Sequence, residues 1–173
     1  MENFTNAVLL PENLPEVLQE DFTPLNGRYL KIILIRIAII TLLAAGALTA
    51  FLVFSDEEIP MPVLAAIVAA IVVLIVYSVI VAVLGFPRKG YLLREKDISY
   101  KTGLIFYKHI SVTFNRIQHV EVSQGILAKL FGLSAIKIFT AGGSASDLSI
   151  PGLLTEDAQK LKTFISEKTS RYE

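Results

Sequence analysis

Two long apolar stretches dominate the pattern of the chain. From Ile37 to Phe54 it reads IAIITLLAAGALTAFLVF, and the apolar character reaches back to Tyr29 apart from Lys31 and Arg36. From Val63 to Phe86 it reads VLAAIVAAIVVLIVYSVIVAVLGF, without one charged residue. A helix rises about 1.5 Å per residue, so each stretch can cross a hydrocarbon core of roughly 30 Å. A soluble core helix of such length normally shows a polar face, and neither stretch has one. Beyond Pro87 the pattern becomes alternating. GYLLREKDISYKTGLIFYKHISVTFNRIQHVEVSQG is rich in Tyr, Ile, Val, Phe and Thr, with breaks at Glu95 to Asp97 and at Thr102 to Gly103, and predicts consecutive antiparallel strands. ILAKLFGLS then predicts one helical turn or a compact loop ended by Gly132, followed by a strand AIKIFTA, a turn GGSAS and a strand DLSIPG. The chain closes on TEDAQKLKTFISEKTSRY, a helix with Thr155 as its cap, Glu156 and Asp157 at its positive end, and an apolar stripe of Leu154, Ala158, Leu161 and Ile165.

This pattern divides the chain into a leader over residues 1–28, a two-helix hairpin over 29–86 with spans at about 29–54 and 63–86, and a folded domain over 87–173. In the domain, a run of strands closed by one amphipathic helix predicts a small curved antiparallel sheet or barrel, plugged at one opening by that helix. The leader carries Glu2, Glu12, Glu16, Glu20 and Asp21 against Arg28 alone. Within it NLPEVLQEDF predicts a short helix capped by Asn13, with Pro15 and Glu16 in its first turn and Leu14, Val17 and Leu18 on one side. An acidic helix is repelled by anionic lipid, so charge does not draw it to the membrane.

Charge also sets direction. Arg28, Lys31 and Arg36 flank the first span, Arg88, Lys89, Arg94 and Lys96 follow the second, and the connection SDEEIPMP is acidic. The positive-inside rule therefore places both termini in the cytoplasm. The polar leader is unlike the short basic start of a signal peptide. Over the whole chain the 16 basic and 16 acidic residues balance, which removes the basic excess that nucleic-acid binding needs. The absence of cysteine excludes disulfides, thiolate metal sites and a thiol nucleophile. Polar groups within the spans are limited to Thr41, Thr49, Tyr77 and Ser78, with no ionisable relay of the kind a pump or proton-coupled transporter requires. Small residues recur at four-residue spacing, at Gly46 and Ala50, Ala65 and Ala69, and Ala66 and Ala70; they permit close helix approach, and packing within this hairpin is expected ahead of a dimerisation seam.

Candidate chemistry lies in the domain. In NRIQHVEVSQG the strand period puts His119, Glu121 and Ser123 on one face, with Val120 and Val122 facing the core. Neighbours on such a face are roughly 6.5 to 7 Å apart, so His119 and Ser123 are separated by Glu121, and no oxyanion donors are evident. Contact residues for a partner are the better reading. A metal at His109, His119 and Glu121 would have to join two strands with very few ligands, and none is expected. TAGGSASD has no lysine and opens no helix, so it reads as a hairpin turn rather than a phosphate loop. Arg88, Lys89, Arg94 and Lys96, with Lys101 and Lys108 beyond them, lie next to the second span, where each cation near an anionic leaflet contributes about 1 kcal/mol. The first four are candidate lipid contacts, although topology alone accounts for Arg88 and Lys89.

The order of parts resembles the YdbS-like bacterial pleckstrin-homology (PH) membrane proteins. The pieces that carry the resemblance are Arg116-Ile117-Gln118, Gln124-Gly125 followed by Leu127, Phe131-Gly132-Leu133 and Thr140-Ala141-Gly142. The resemblance implies an α+β PH-like domain, a curved sheet or barrel capped by its C-terminal helix, beneath a two-span hairpin in the bacterial inner membrane. It implies no catalytic activity and no cofactor. Family members often stand beside a larger membrane protein with several copies of the domain, so the expected partners are the bilayer and such a relative or a second copy of the chain. The dense basic loop of phosphoinositide-binding relatives is replaced here by REKD, where Glu95 and Asp97 interrupt Arg94 and Lys96, so that specificity is not carried over. The function expected is a non-catalytic interaction or assembly module; the alternative is a module for anionic lipid headgroups.

Overall fold

A computed structural model describes residues 21–55, 60–141 and 147–170. The expected leader helix from Asn13, the acidic tip of the hairpin and the GGSAS turn lie outside these residues.

Helix α1 runs over Arg28–Phe54 and α2 over Met61–Gly85. Both are apolar on every side and exposed over their middle turns, at Leu42, Leu43, Val73 and Leu74 for example, as helices that face lipid are. Their serine and threonine hydroxyls are satisfied within the helix: Thr41 donates to the Ile37 carbonyl (2.9 Å), Thr49 to Ala45 (2.9 Å) and Ser78 to Leu74 (2.7 Å). Half-buried Ile37 and Thr41 on α1 share a crevice with Ile75 on α2, and Ile37 shares another with Ser78. The small-residue pairs, expected to pack within the hairpin, line neither crevice. A Cβ added at Gly46 would meet nothing within 4 Å, and Ala50, Ala65, Ala66, Ala69 and Ala70 are exposed.

Among the described residues seven strands form two antiparallel sheets. The first holds β1 (Thr23–Pro24), β2 (Gly90–Leu93), β3 (Asp97–Thr102) and β4 (Lys108–Thr113), in that order. The second holds β5 (Ile117–Ser123), β6 (Leu133–Thr140) and β7 (Leu148–Leu154). Among the described residues the two are not joined into a closed barrel, so the domain is the curved-sheet form of the expected fold. Strand β1 comes from the segment read as leader. It pairs Thr23 with Tyr91 and Pro24 with Gly90, and proline is tolerated because this is an edge strand. The approach is close: a Cβ at Gly90 would lie 3.0 Å from both the Phe22 Cβ and the Thr23 carbonyl oxygen.

The core lies between the sheets and under the closing helix α4 (Thr155–Thr169). Ile98, Phe114, Ile136, Ile138, Ile150 and Ile165 are fully buried in it. Ala158, Leu161 and Ile165 form the buried stripe of α4, as their spacing requires; Leu154 belongs to β7 and is partly exposed. Thr155 does not cap α4. Strand β7 runs straight into the helix, Leu154 takes the cap position in extended conformation, and no side chain caps it. The short helix α3 (Ile126–Leu130) ends at Gly132, whose φ of +66° gives the left-handed turn that glycine allows.

Candidate functional site

Thr155 instead serves a junction that holds α3, β6 and α4 together. Its hydroxyl donates to the Gly132 carbonyl (3.2 Å) and accepts from the Gln124 amide (3.0 Å), while Ser134 Oγ lies 3.0 Å away. Gln124 also donates to the Leu133 carbonyl (2.8 Å). These bonds give Gln124 its structural reason, and nothing in the strand period pointed to them. Gln124→Ala is expected to cost about 0.5–1.5 kcal/mol, because water can replace an exposed amide only in part; the thermal midpoint of the full chain in detergent measures it.

Cross-strand register decides what the polar face of β5 does. His119 pairs with Phe139, and their rings stack with centroids 4.2 Å apart and planes at 12°. Glu121 pairs with Lys137, 3.5 Å from its ammonium. Ser123 pairs with Ala135 and faces a cavity of about 330 Å³, where Tyr29, Ile32 and Arg36 of α1 meet α3. Each of the three thus has a neighbour on β6 in place of one another. The partly buried Val120 and Val122 pack against the core, as their alternation predicts. A bulge in the pairing falls between Ile117 and His119. His109 lies in the other sheet, on β4, edge-on to Phe22 with ring centroids 5.7 Å apart. It is therefore not brought to His119 and Glu121, and no group of three or more potential ligands occurs among the described residues.

The basic residues divide between the two ends of the first sheet. Arg88 and Lys89 follow α2 directly, where Arg88 donates to the Leu104 carbonyl (3.4 Å). Burial pushes the Lys89 ammonium below its usual range, and its Nζ lies 6.0 Å from the centre of the Tyr29 ring. Arg94 and Lys96 occupy the turn at the other end of β2, about 13 Å farther by strand rise. There Arg94 faces Asp97 at 3.8 Å, and Asp97 also accepts from Ser111 (2.6 Å). Strand β3 runs back, so Lys101 returns to the level of Gly90 and sits 4.0 Å above the Phe22 ring. Across the second sheet, the Thr140 hydroxyl and amide donate to Asp147 and hold its carboxyl below the usual carboxylate range, helped by Arg116.

The domain is joined to the hairpin on both sides. Asn26 donates its amide to the Gly152 carbonyl (3.1 Å), and Tyr29 packs directly over Gly152. Ile32 is buried, so the first turns of α1 form a stalk seated on the domain. A two-sheet α+β domain with a closing C-terminal helix, mounted on two lipid-facing helices, defines a membrane-tethered PH-like protein. The model of the bacterial PH domain family matches residues 22–169, from the edge of β1 to the end of α4, and the chain belongs to that family. It is 38% identical over 76 residues to the transmembrane protein YdbS of Bacillus subtilis (strain 168), a match that covers 44% of this chain and 46% of YdbS. It is also 24% identical over 96 residues to the transmembrane protein YdbT of the same organism, covering 55% of this chain and 20% of YdbT. The chain thus spans less than half the length of either curated relative. No solved structure gives a significant match. The protein is a membrane protein with transmembrane helices.

Proposed function

We propose that the protein is a non-catalytic assembly module of the inner membrane, with both termini and its PH-like domain in the cytoplasm, acting with a larger relative or with a second copy of itself. The observation that carries this reading is the outward Gly46–Ala50 seam. Glycine in a helix interior costs about 1 kcal/mol relative to alanine. Here it relieves no crowding inside the hairpin, since nothing lies within 4 Å of its Cβ position. Small residues at four-residue spacing let a neighbouring transmembrane helix approach closely. The matches to a shorter and a longer transmembrane protein of one organism support a partner of the same family. His119, Glu121 and Ser123 are the proposed contact face of the domain.

Gly46→Leu is expected to abolish the crosslinked homo-oligomer or partner band in mild detergent while leaving the thermal midpoint of the domain unchanged. An equally strong crosslinked band from the variant, or a solitary monomer for the wild type, would count against assembly through this seam.

The exposed Arg88 at the end of α2 favours a second reading, in which the domain engages anionic headgroups through Arg88, Lys89, Arg94 and Lys96. Lipid copurifying with the full chain, compared between wild type and a charge-reversed Arg88 variant, separates the two readings.

A further inference from the structure

The strongest unexplained feature of the domain is apolar. The loop between β3 and β4 exposes Ile105, Phe106 and Tyr107, with Phe106 86% accessible. Helix α3 exposes Ile126 and Leu130, with Ile126 87% accessible. Large apolar side chains presented this fully have no reason to stay in water.

Both groups lie at the end of the domain that faces the spans, the loop beside the end of α2 and α3 beside the first turns of α1. Leu104 packs on Gly85, the last residue of α2, where a Cβ would lie 3.4 Å from its own. Gly103 and Leu104 share a crevice with Ile33, Ile37, Ser78 and Val81. On the other side, Ile126 and Leu127 line the cavity that also contains Arg36. Arg36 is the last charged residue before the uninterrupted apolar run of α1 and marks where hydrocarbon begins. A bilayer whose hydrocarbon begins at Arg36 would therefore bring both protrusions to the level of its headgroups. Arg88 and the exposed Lys108 flank the loop, and Lys129 flanks Ile126 and Leu130, the pairing of apolar and cationic side chains found in interfacial segments. The loop is also held in shape. Gly103 has φ +125°, and a Cβ there would lie 1.9 Å from the Phe106 carbonyl oxygen, so only glycine permits the turn that projects Phe106.

We infer that the β3–β4 loop and α3 are two interfacial anchors that insert into the headgroup region of the same leaflet, so that the domain sits against the bilayer at two points besides its covalent tether. The anchors take a lipid surface by apolar insertion, without recognising a particular headgroup. This seating is independent of the Gly46 seam, which lies deeper in the span.

The chain has no cysteine, so a single introduced one is a unique labelling site. Ile105→Cys and Leu130→Cys keep Phe106 and Ile126 in place; Lys162→Cys and Glu167→Cys, both exposed, are controls on α4. Each full-length variant is labelled with an environment-sensitive fluorophore in vesicles of phosphatidylcholine and phosphatidylglycerol. At 105 and 130 the emission is expected to be blue-shifted, largely lost with brominated lipid and insensitive to iodide; at 162 and 167 iodide quenches and brominated lipid does not. Iodide quenching at 105 or 130 equal to the controls would place that anchor in water and overturn the inference. Protection from both quenchers would mean that protein covers the face, and would overturn it equally.

Discussion

Gly152→Val is expected to loosen the domain from its stalk and to lower the stability of the folded chain by several kcal/mol. Two costs fall on one residue. Gly152 has φ +72°, a region that a β-branched residue enters only under strain of about 1–3 kcal/mol. A Cβ there would also lie 2.7 Å from Cγ and 2.8 Å from Cβ of Tyr29, and such overpacking adds about 1–3 kcal/mol. Relief requires Tyr29 to leave β7, which carries away the Asn26 to Gly152 hydrogen bond and uncovers Ile32. Thermal unfolding of the full chain in detergent, with limited proteolysis at the junction before α1, should show a lower midpoint and faster cleavage. Gly152→Ala should show the same changes to a smaller degree. An unchanged midpoint for the valine variant would mean that Tyr29 is not held where it packs.

Phe114→Ala is expected to cost about 3–5 kcal/mol, the usual range for emptying a buried aromatic site. Phe114 opens the short 3-10 turn that carries the chain from β4 in one sheet to β5 in the other, and it is fully buried. Its ring meets Phe164 of α4 edge-on, with centroids 6.2 Å apart and planes at 79°, and its amide donates to the Lys96 carbonyl (3.0 Å). The ring therefore fastens the closing helix to the core between the sheets, while the backbone bond to Lys96 survives in the alanine variant. Phe164 is only partly buried, so Phe164→Ala should cost less. In a double-mutant cycle the pair should couple by about 0.5–1.5 kcal/mol. A Phe114→Ala midpoint close to wild type would show that the corner repacks without it.

Where periodicity was strong, the structure follows it. The two apolar runs became α1 and α2, the breaks at Glu95 to Asp97 and at Thr102 to Gly103 became turns, and Ala158, Leu161 and Ile165 became the buried stripe of α4. The features that the pattern did not reveal depend on contacts distant in sequence. Thr155 has the residue type and position of a cap, but its hydroxyl is claimed by Gln124 and Gly132, more than twenty residues away. Gly46 and Ala50 have the spacing of a packing motif, yet which face of α1 meets α2 depends on how the stalk sits on the domain. The candidate face of β5 was legible as a face, since alternation fixes which side chains share a side. Its partners were not, because register with β6 decides that His119 meets Phe139 and Glu121 meets Lys137. The exposed residues of the β3–β4 loop were in view as letters, but only the return of β3 toward α2 brings them to the membrane end.

Strand β1 precedes the first span and its partner β2 follows the second, so the hairpin is an insertion within the sheet. During synthesis Thr23 and Pro24 leave the ribosome long before Tyr91 and Gly90 exist to receive them. The edge of the sheet, and with it the seat of Tyr29 on Gly152, can be completed only after both spans have been made and their outer ends have come to the same side of the bilayer. A chain with one span left out of the membrane, or threaded in the wrong direction, would keep β1 and β2 on opposite sides and leave the domain without its edge. Closure of the sheet thus requires both outer ends of the hairpin on one side of the bilayer.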